Sequence, residues 1–133
     1  MASLFDADRR EYIRIRSELN VRYKFLSMGA TDPNMDKIYD GRVTNISGNG
    51  IMISGPIPDA HWIPELLMQR IVIGINFMLP NEEEPVKTLT RAAWIETADE
   101  KASLYRLGLK FKEITTKDTD KIFRFIIKEQ LPS

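Results

Sequence analysis

Apolar residues fall on every second position through much of this chain, the spacing of strands that bury one face. Val21, Tyr23 and Phe25 alternate with Arg22 and Lys24, and Ile71, Ile73, Ile75, Phe77 and Leu79 form one odd-numbered stripe. Leu107, Leu109 and Phe111 alternate with Arg106, Lys110 and Lys112. Weaker alternation predicts strands near Lys37 to Ile46, Gly50 to Ser54 and Thr88 to Glu96, the last with Leu89, Ala93 and Ile95 on one face and Trp94 on the other. Turn-forming residues separate the runs: Thr31-Asp32-Pro33-Asn34, Gly48-Asn49-Gly50, Gly55-Pro56 with Pro58, and Pro80 to Pro85 around a solvated Glu82-Glu83-Glu84 tip. Helical spacing replaces the alternation twice. A short helix is expected from Trp62 to Leu67, and a longer one from about Lys117 to Gln130. For the second, Thr115-x-x-Asp118 gives a capping pattern, while Ile122, Phe123, Ile126 and Ile127 recur on one face. The whole predicts a mainly β fold, a six-stranded antiparallel β-barrel with a C-terminal α-helix packed on it.

Composition fits that outline. The 133 residues are 43% hydrophobic and 29% charged, which describes one globular domain with an ordinary core. Residues 1–8 are expected to be a flexible N-terminal tail, and residues 9–133 a single domain. There is no cysteine, which removes disulfides, thiolate zinc sites and cysteine nucleophiles together and is compatible with a reducing cytoplasm. Met1 to Asp8 has acidic residues where an export signal would have a basic start and an apolar run. The apolar run Ile71 to Leu79 contains Asn76 and is less than half the ~20 residues of a membrane span, so a cytoplasmic protein without membrane insertion is expected.

Nineteen basic residues balance 19 acidic ones, so the total charge indicates no general grip on nucleic acid. The distribution is less even. Six basic residues (Arg9, Arg10, Arg14, Arg16, Arg22 and Lys24) face two acidic ones (Glu11 and Glu18) between Arg9 and Lys24, a patch suited to a small anion. Downstream lies the polar turn Asn45-Ile46-Ser47-Gly48-Asn49-Gly50. Arginine offers a planar fork of donors matching phosphate oxygens and the O6/N7 edge of guanine, and its flat face stacks on bases. Asn45 and Ser47 add short donors and acceptors, and Gly48 and Gly50 permit a tight bend and close approach. Taken singly, each motif has a plainer explanation. The turn could join two strands by bonding its own backbone, and the arginines could form a solvated arm. Together they point to a site for a phosphate-bearing guanine nucleotide.

Catalysis is not indicated. His61 is the only histidine, and Ser47 lacks the glycine two residues before it that a nucleophile elbow requires. Gly48-Asn49-Gly50 lacks the third glycine of a dinucleotide turn, and there is no Gly-Lys-Ser/Thr phosphate loop. A single-strand nucleic-acid barrel would interleave exposed aromatics with basic residues, whereas Tyr23 and Phe25 share the apolar stripe. Trp94 is expected to serve packing, in the core or beside the site, rather than as a stacking platform.

The order of motifs resembles the PilZ domain family, whose hallmark is Arg-x-x-x-Arg followed by Asp/Asn-x-Ser-x-x-Gly. Here these are Arg10-Glu11-Tyr12-Ile13-Arg14 and Asn45-Ile46-Ser47-Gly48-Asn49-Gly50, joined by Ala93-Trp94-Ile95 and the closing strand Leu107-Gly108-Leu109-Lys110-Phe111. The resemblance spans Arg9 to about Ile127. It implies a six-stranded barrel that binds the bacterial second messenger cyclic di-GMP, with no cofactor. By that resemblance Arg10 and Arg14 clamp phosphate and guanine, Asn45 and Ser47 hydrogen-bond a guanine, Gly50 leaves room for it, and Gly108 contributes by backbone approach. Asn replaces the commoner Asp at position 45. Arg9, directly before the motif, implies two stacked ligand molecules per chain. The family also implies output through an unidentified downstream protein of the motility or exopolysaccharide machinery. The alternative is a PilZ-type adaptor in pilus or flagellar control that binds no nucleotide.

Overall fold

The computed structural model describes residues 13–27, 32–35 and 37–130, and of residues 14 and 16–18 the backbone alone. Six antiparallel strands close into a barrel: β1 (Ile13–Ser27), β2 (Tyr39–Ile46), β3 (Gly50–Pro56), β4 (Ile71–Phe77), β5 (Val86–Asp99) and β6 (Leu104–Ile114). Around the barrel the order is β1-β2-β3-β6-β5-β4, returning to β1. Helix α1 (Trp62–Leu67) joins β3 to β4, and helix α2 (Thr116–Gln130) follows β6.

The alternating stripes fill the interior. Val21, Tyr23 and Phe25 from β1 meet Ile73, Ile75 and Phe77 from β4 and Leu107 and Leu109 from β6, all almost fully buried. Trp62 of α1 reaches this core edge-on to Phe25, with ring centroids 5.1 Å apart. Ile122, Phe125 and Ile126 of α2 are buried against the barrel, whereas Phe123 and Ile127 are about half exposed.

Strand β5 departs from the expected pattern. Its first half turns Val86, Thr88, Thr90 and Ala92 inward, not Leu89 and Ala93. A register shift between Ala92 and Trp94 then inserts an extra residue, so that Ile95, opposite Leu107, packs on the core. A bulge reverses the phase of a two-residue repeat, which no alternation count reveals. The buried threonines satisfy their hydroxyls across the barrel wall: Thr90 Oγ1 donates to the Ile73 carbonyl at 2.8 Å and Thr88 Oγ1 to that of Glu113 at 2.6 Å.

Helix α2 starts where its cap predicts. Thr115 Oγ1 accepts the Asp118 N–H at 3.1 Å. The Asp118 carboxylate accepts the Lys87 N–H at 3.1 Å and pairs with Lys121 Nζ at 3.2 Å, and Lys121 also donates to the Glu84 carbonyl at 3.3 Å. This buried pair fixes the helix to the start of β5, the barrel end that also carries the Asn45 to Gly50 turn. Among the described residues no helix is long and apolar enough to cross a membrane.

Candidate functional site

Strand pairing gathers the distant motifs into one row. Arg14 of β1 stands opposite Asn45 of β2, Asn45 opposite Met52 of β3, Met52 opposite Gly108 of β6, and Gly108 opposite Trp94 of β5. Such a rung runs across the strands at about 4.8 Å per step. Register shifts on both sides of Asn45, between Arg14 and Leu19 and between Val43 and Asn45, place it in this row. Arg9 and Arg10 lie outside the described residues, as does the expected tail before them, and Arg14 is placed by its backbone.

Asn45 is half-buried, and its Nδ2 donates to Met52 Sδ at 3.2 Å. A thioether is a weak acceptor, so the carboxamide gives up little on turning to a better partner. Ser47 is almost fully buried and works within its own turn. Its Oγ accepts the N–H groups of Asn49 and Gly50, each at 3.2 Å, and donates to the Gly50 carbonyl at 3.3 Å. The Ser47 N–H donates to that same carbonyl at 2.9 Å, and the Asn49 carbonyl accepts the Phe111 N–H at 2.9 Å, which ties the turn to β6.

The glycines earn their places by contacts inside the protein. A Cβ on Gly50 would strike the Leu109 carbonyl, so the close approach of β3 to β6 itself requires a glycine there. A Cβ on Gly108 would enter the indole of Trp94. Trp94 therefore lies over Gly108, and with 38% of its surface exposed it forms one end of the row rather than part of the core. Gly48 sits under Phe123 of α2, whose Cζ would be 2.8 Å from an added Cβ.

Basic groups flank the row. Gly50 pairs with Lys110, and Lys110 with Arg91, one rung along. On the other side Arg106 Nε donates to Glu96 Oε1 at 2.6 Å. Sequence reasoning passed over Lys110, Arg91 and Met52, because their nearness to Asn45 exists only through the β3-β6-β5 pairing. The arrangement offers an aromatic surface, an adaptable carboxamide and a cationic border on one outer wall, means suited to holding a planar base attached to an anion.

These features define a small closed β-barrel with a candidate recognition strip on its outer wall. The PilZ domain model matches residues 8–128, and the chain belongs to the PilZ domain family. Domains of this family are binding and effector modules. No match was found among curated proteins. Among solved structures, the chain is similar to the Bacillus subtilis inhibitor of motility MotI/DgrA, with a TM-score of 0.62 and 22% identity over 92% of this chain and 51% of that one. It is also similar to MrkH of K. pneumonia, described as a c-di-GMP-dependent transcription regulatory factor, with a TM-score of 0.61 and 16% identity over 92% of this chain and 50% of that one. The PilZ domain of Escherichia coli YcgR, solved with c-di-GMP, gives a TM-score of 0.55 and 14% identity over 90% of both chains. The chain thus spans about half the length of the first two, and at these identities the likeness is one of fold.

Proposed function

We propose that this chain is a cyclic di-GMP receptor of the cytoplasm, formed by one domain over residues 9–133 after a tail at residues 1–8, acting through a downstream protein of the motility or exopolysaccharide machinery. The observation that carries this reading is the single row Arg14, Asn45, Met52, Gly108 and Trp94 on the outer barrel wall, in a chain of the PilZ family. In this reading Arg10 and Arg14 clamp phosphate and guanine, and Asn45 turns from the Met52 sulfur to a guanine edge. Trp94 carries a base face, and Arg9 admits a second, stacked ligand molecule. Ser47 and Gly50 serve by holding the turn in shape, and Gly108 by giving Trp94 its seat. Ordering of the arginine segment around the ligand is the output, because it changes the surface a partner meets.

Isothermal titration with cyclic di-GMP, with GTP as control, tests the reading. Micromolar or tighter binding is expected, lost in an Arg10→Ala/Arg14→Ala variant, with a stoichiometry near two if Arg9 acts as proposed. Trp94→Ala is expected to weaken binding by about 5- to 150-fold, the worth of one base stacked on an aromatic ring. Hydrogen exchange across residues 9–14 should slow on saturation. A flat titration at high ligand concentration would reject the receptor and favour an adaptor that works through protein contacts alone.

A further inference from the structure

Six glycines lie among the described residues, and for five of them the fold supplies a reason. Added Cβ atoms at Gly41, Gly50, Gly55 and Gly108 would meet a backbone carbonyl or a packed ring closer than real contacts allow, and at Gly48 the Phe123 ring. Gly74, in the middle of β4, is different. Its φ is ordinary, and an added Cβ would find only Leu26 Cδ1, at a comfortable 3.5 Å. A glycine inside a strand weakens it and commonly marks a place where something approaches closely from outside.

Gly74 floors a depression of about 730 Å³ on the outer wall of β1, β4 and β5, across the barrel from β3. Two rungs cross it: Lys24, Gly74 and Leu89, and beside them Arg22, Asn76 and Lys87. Arg22 and Lys87 are thus two strand spacings apart, about 10 Å. Of the charged residues that line the depression, three are cations and one, Glu113, is an acid. Arg22 has only a loose pairing with Asp40, at 3.8 Å between two well-exposed side chains. Ile38, Leu89 and Ile114 give the same depression an apolar border, and Ile38 is 66% exposed.

We infer that this trough is a docking site for an acidic, extended peptide segment of a partner protein, whose backbone passes over Gly74. Its carboxylates meet Lys24, Lys87 and Arg22, and an aliphatic side chain rests against Leu89 and Ile114. The barrel is closed, so the segment cannot add as a strand; side-chain charge and apolar contact hold it, with the Asn76 carboxamide available to its backbone. The inference stands whether or not the opposite wall binds a nucleotide.

The test uses the full chain and a short capped peptide of alternating glutamate and leucine, followed by amide chemical shifts, with a lysine-leucine peptide as control. Saturable shifts at Lys24, Gly74, Asn76 and Leu89 are expected, weakening as salt rises. A Lys24→Glu/Lys87→Glu variant should bind the peptide about tenfold more weakly or worse, since attraction becomes repulsion. Gly74→Val keeps every charge and fills the floor. It should fold with at least the parent's thermal stability and lose the peptide. A destabilised Gly74→Val would show that the fold itself needs this glycine and would overturn the inference. So would shifts confined to other surfaces, equal binding of the lysine-leucine peptide, binding only to phosphatidylserine vesicles, or shifts of the same amides on raising protein concentration alone, which would make the trough a contact between copies.

Discussion

Tyr23 shows how much one side chain can do in a small barrel. Its ring is 1% exposed, packs edge-on to Phe25, and fills the room left by Gly41 and Gly55. Its hydroxyl donates to the Pro56 carbonyl at 2.6 Å. Burial first, and then the charges of Tyr39 and Asp40, raise its pKa well above the ordinary 10.0. The folded state therefore holds the phenolic proton more tightly than the unfolded chain. Its contribution is complete below the ordinary tyrosine pKa and is lost as pH rises beyond it. Tyr23→Phe is expected to cost roughly 1–3 kcal/mol at neutral pH, because the Pro56 carbonyl loses its donor. The variant should also lose less stability at alkaline pH than the parent, as urea unfolding across a pH series would show. In sequence Tyr23 was legible as a core position, but the destination of its hydroxyl was not, since Pro56 is distant along the chain. Ser47 was legible in the same partial way. A small hydroxyl in a glycine turn can face a ligand or its own backbone, and the structure uses all of it for the backbone.

At the scale of elements, local signals sufficed where the chemistry is local. The Thr115 cap and the apolar spacing after it located α2, and Trp62 to Leu67 is the observed span of α1. Thr115→Ala should cost about 1 kcal/mol and speed hydrogen exchange in the first turn of α2, with the barrel strands unaffected. Gly50→Ala is expected to cost more, roughly 1–3 kcal/mol, because its methyl group must push β3 from the Leu109 carbonyl; thermal unfolding would read the difference. The misplaced face of β5 has a single cause, the extra residue between Ala92 and Trp94. The half from Val86 to Ala92 keeps its alternation, and only pairing with β6 shows that Ile95 is out of phase with it. The same bulge sets Trp94 over Gly108, so the residue most readily taken for packing became the aromatic end of the candidate site.

For the whole molecule, the two walls make distinct uses of one frame. The row from Arg14 to Trp94 crosses β1, β2, β3, β6 and β5, while the trough over Gly74 lies on the side completed by β4. The two surfaces share β1 and β5 but no residue. Affinities for cyclic di-GMP and for the glutamate-leucine peptide should therefore be the same measured together as apart, to within about 0.5 kcal/mol. A larger coupling in a combined titration would mean that the interior transmits a change of state.

Closure of the barrel carries one more consequence. Over the rungs where β1, β4 and β5 meet, each strand is paired on both sides, so this closed part of the wall offers no ladder of unpaired amides and carbonyls to another chain. Recognition has to be written in the side chains that point outward, and those can be rewritten one at a time while the hydrogen-bonded wall behind them stays as it is. Such a frame can pass between lineages with its shape kept and its vocabulary replaced, as its overlap with chains of 14% to 22% identity illustrates.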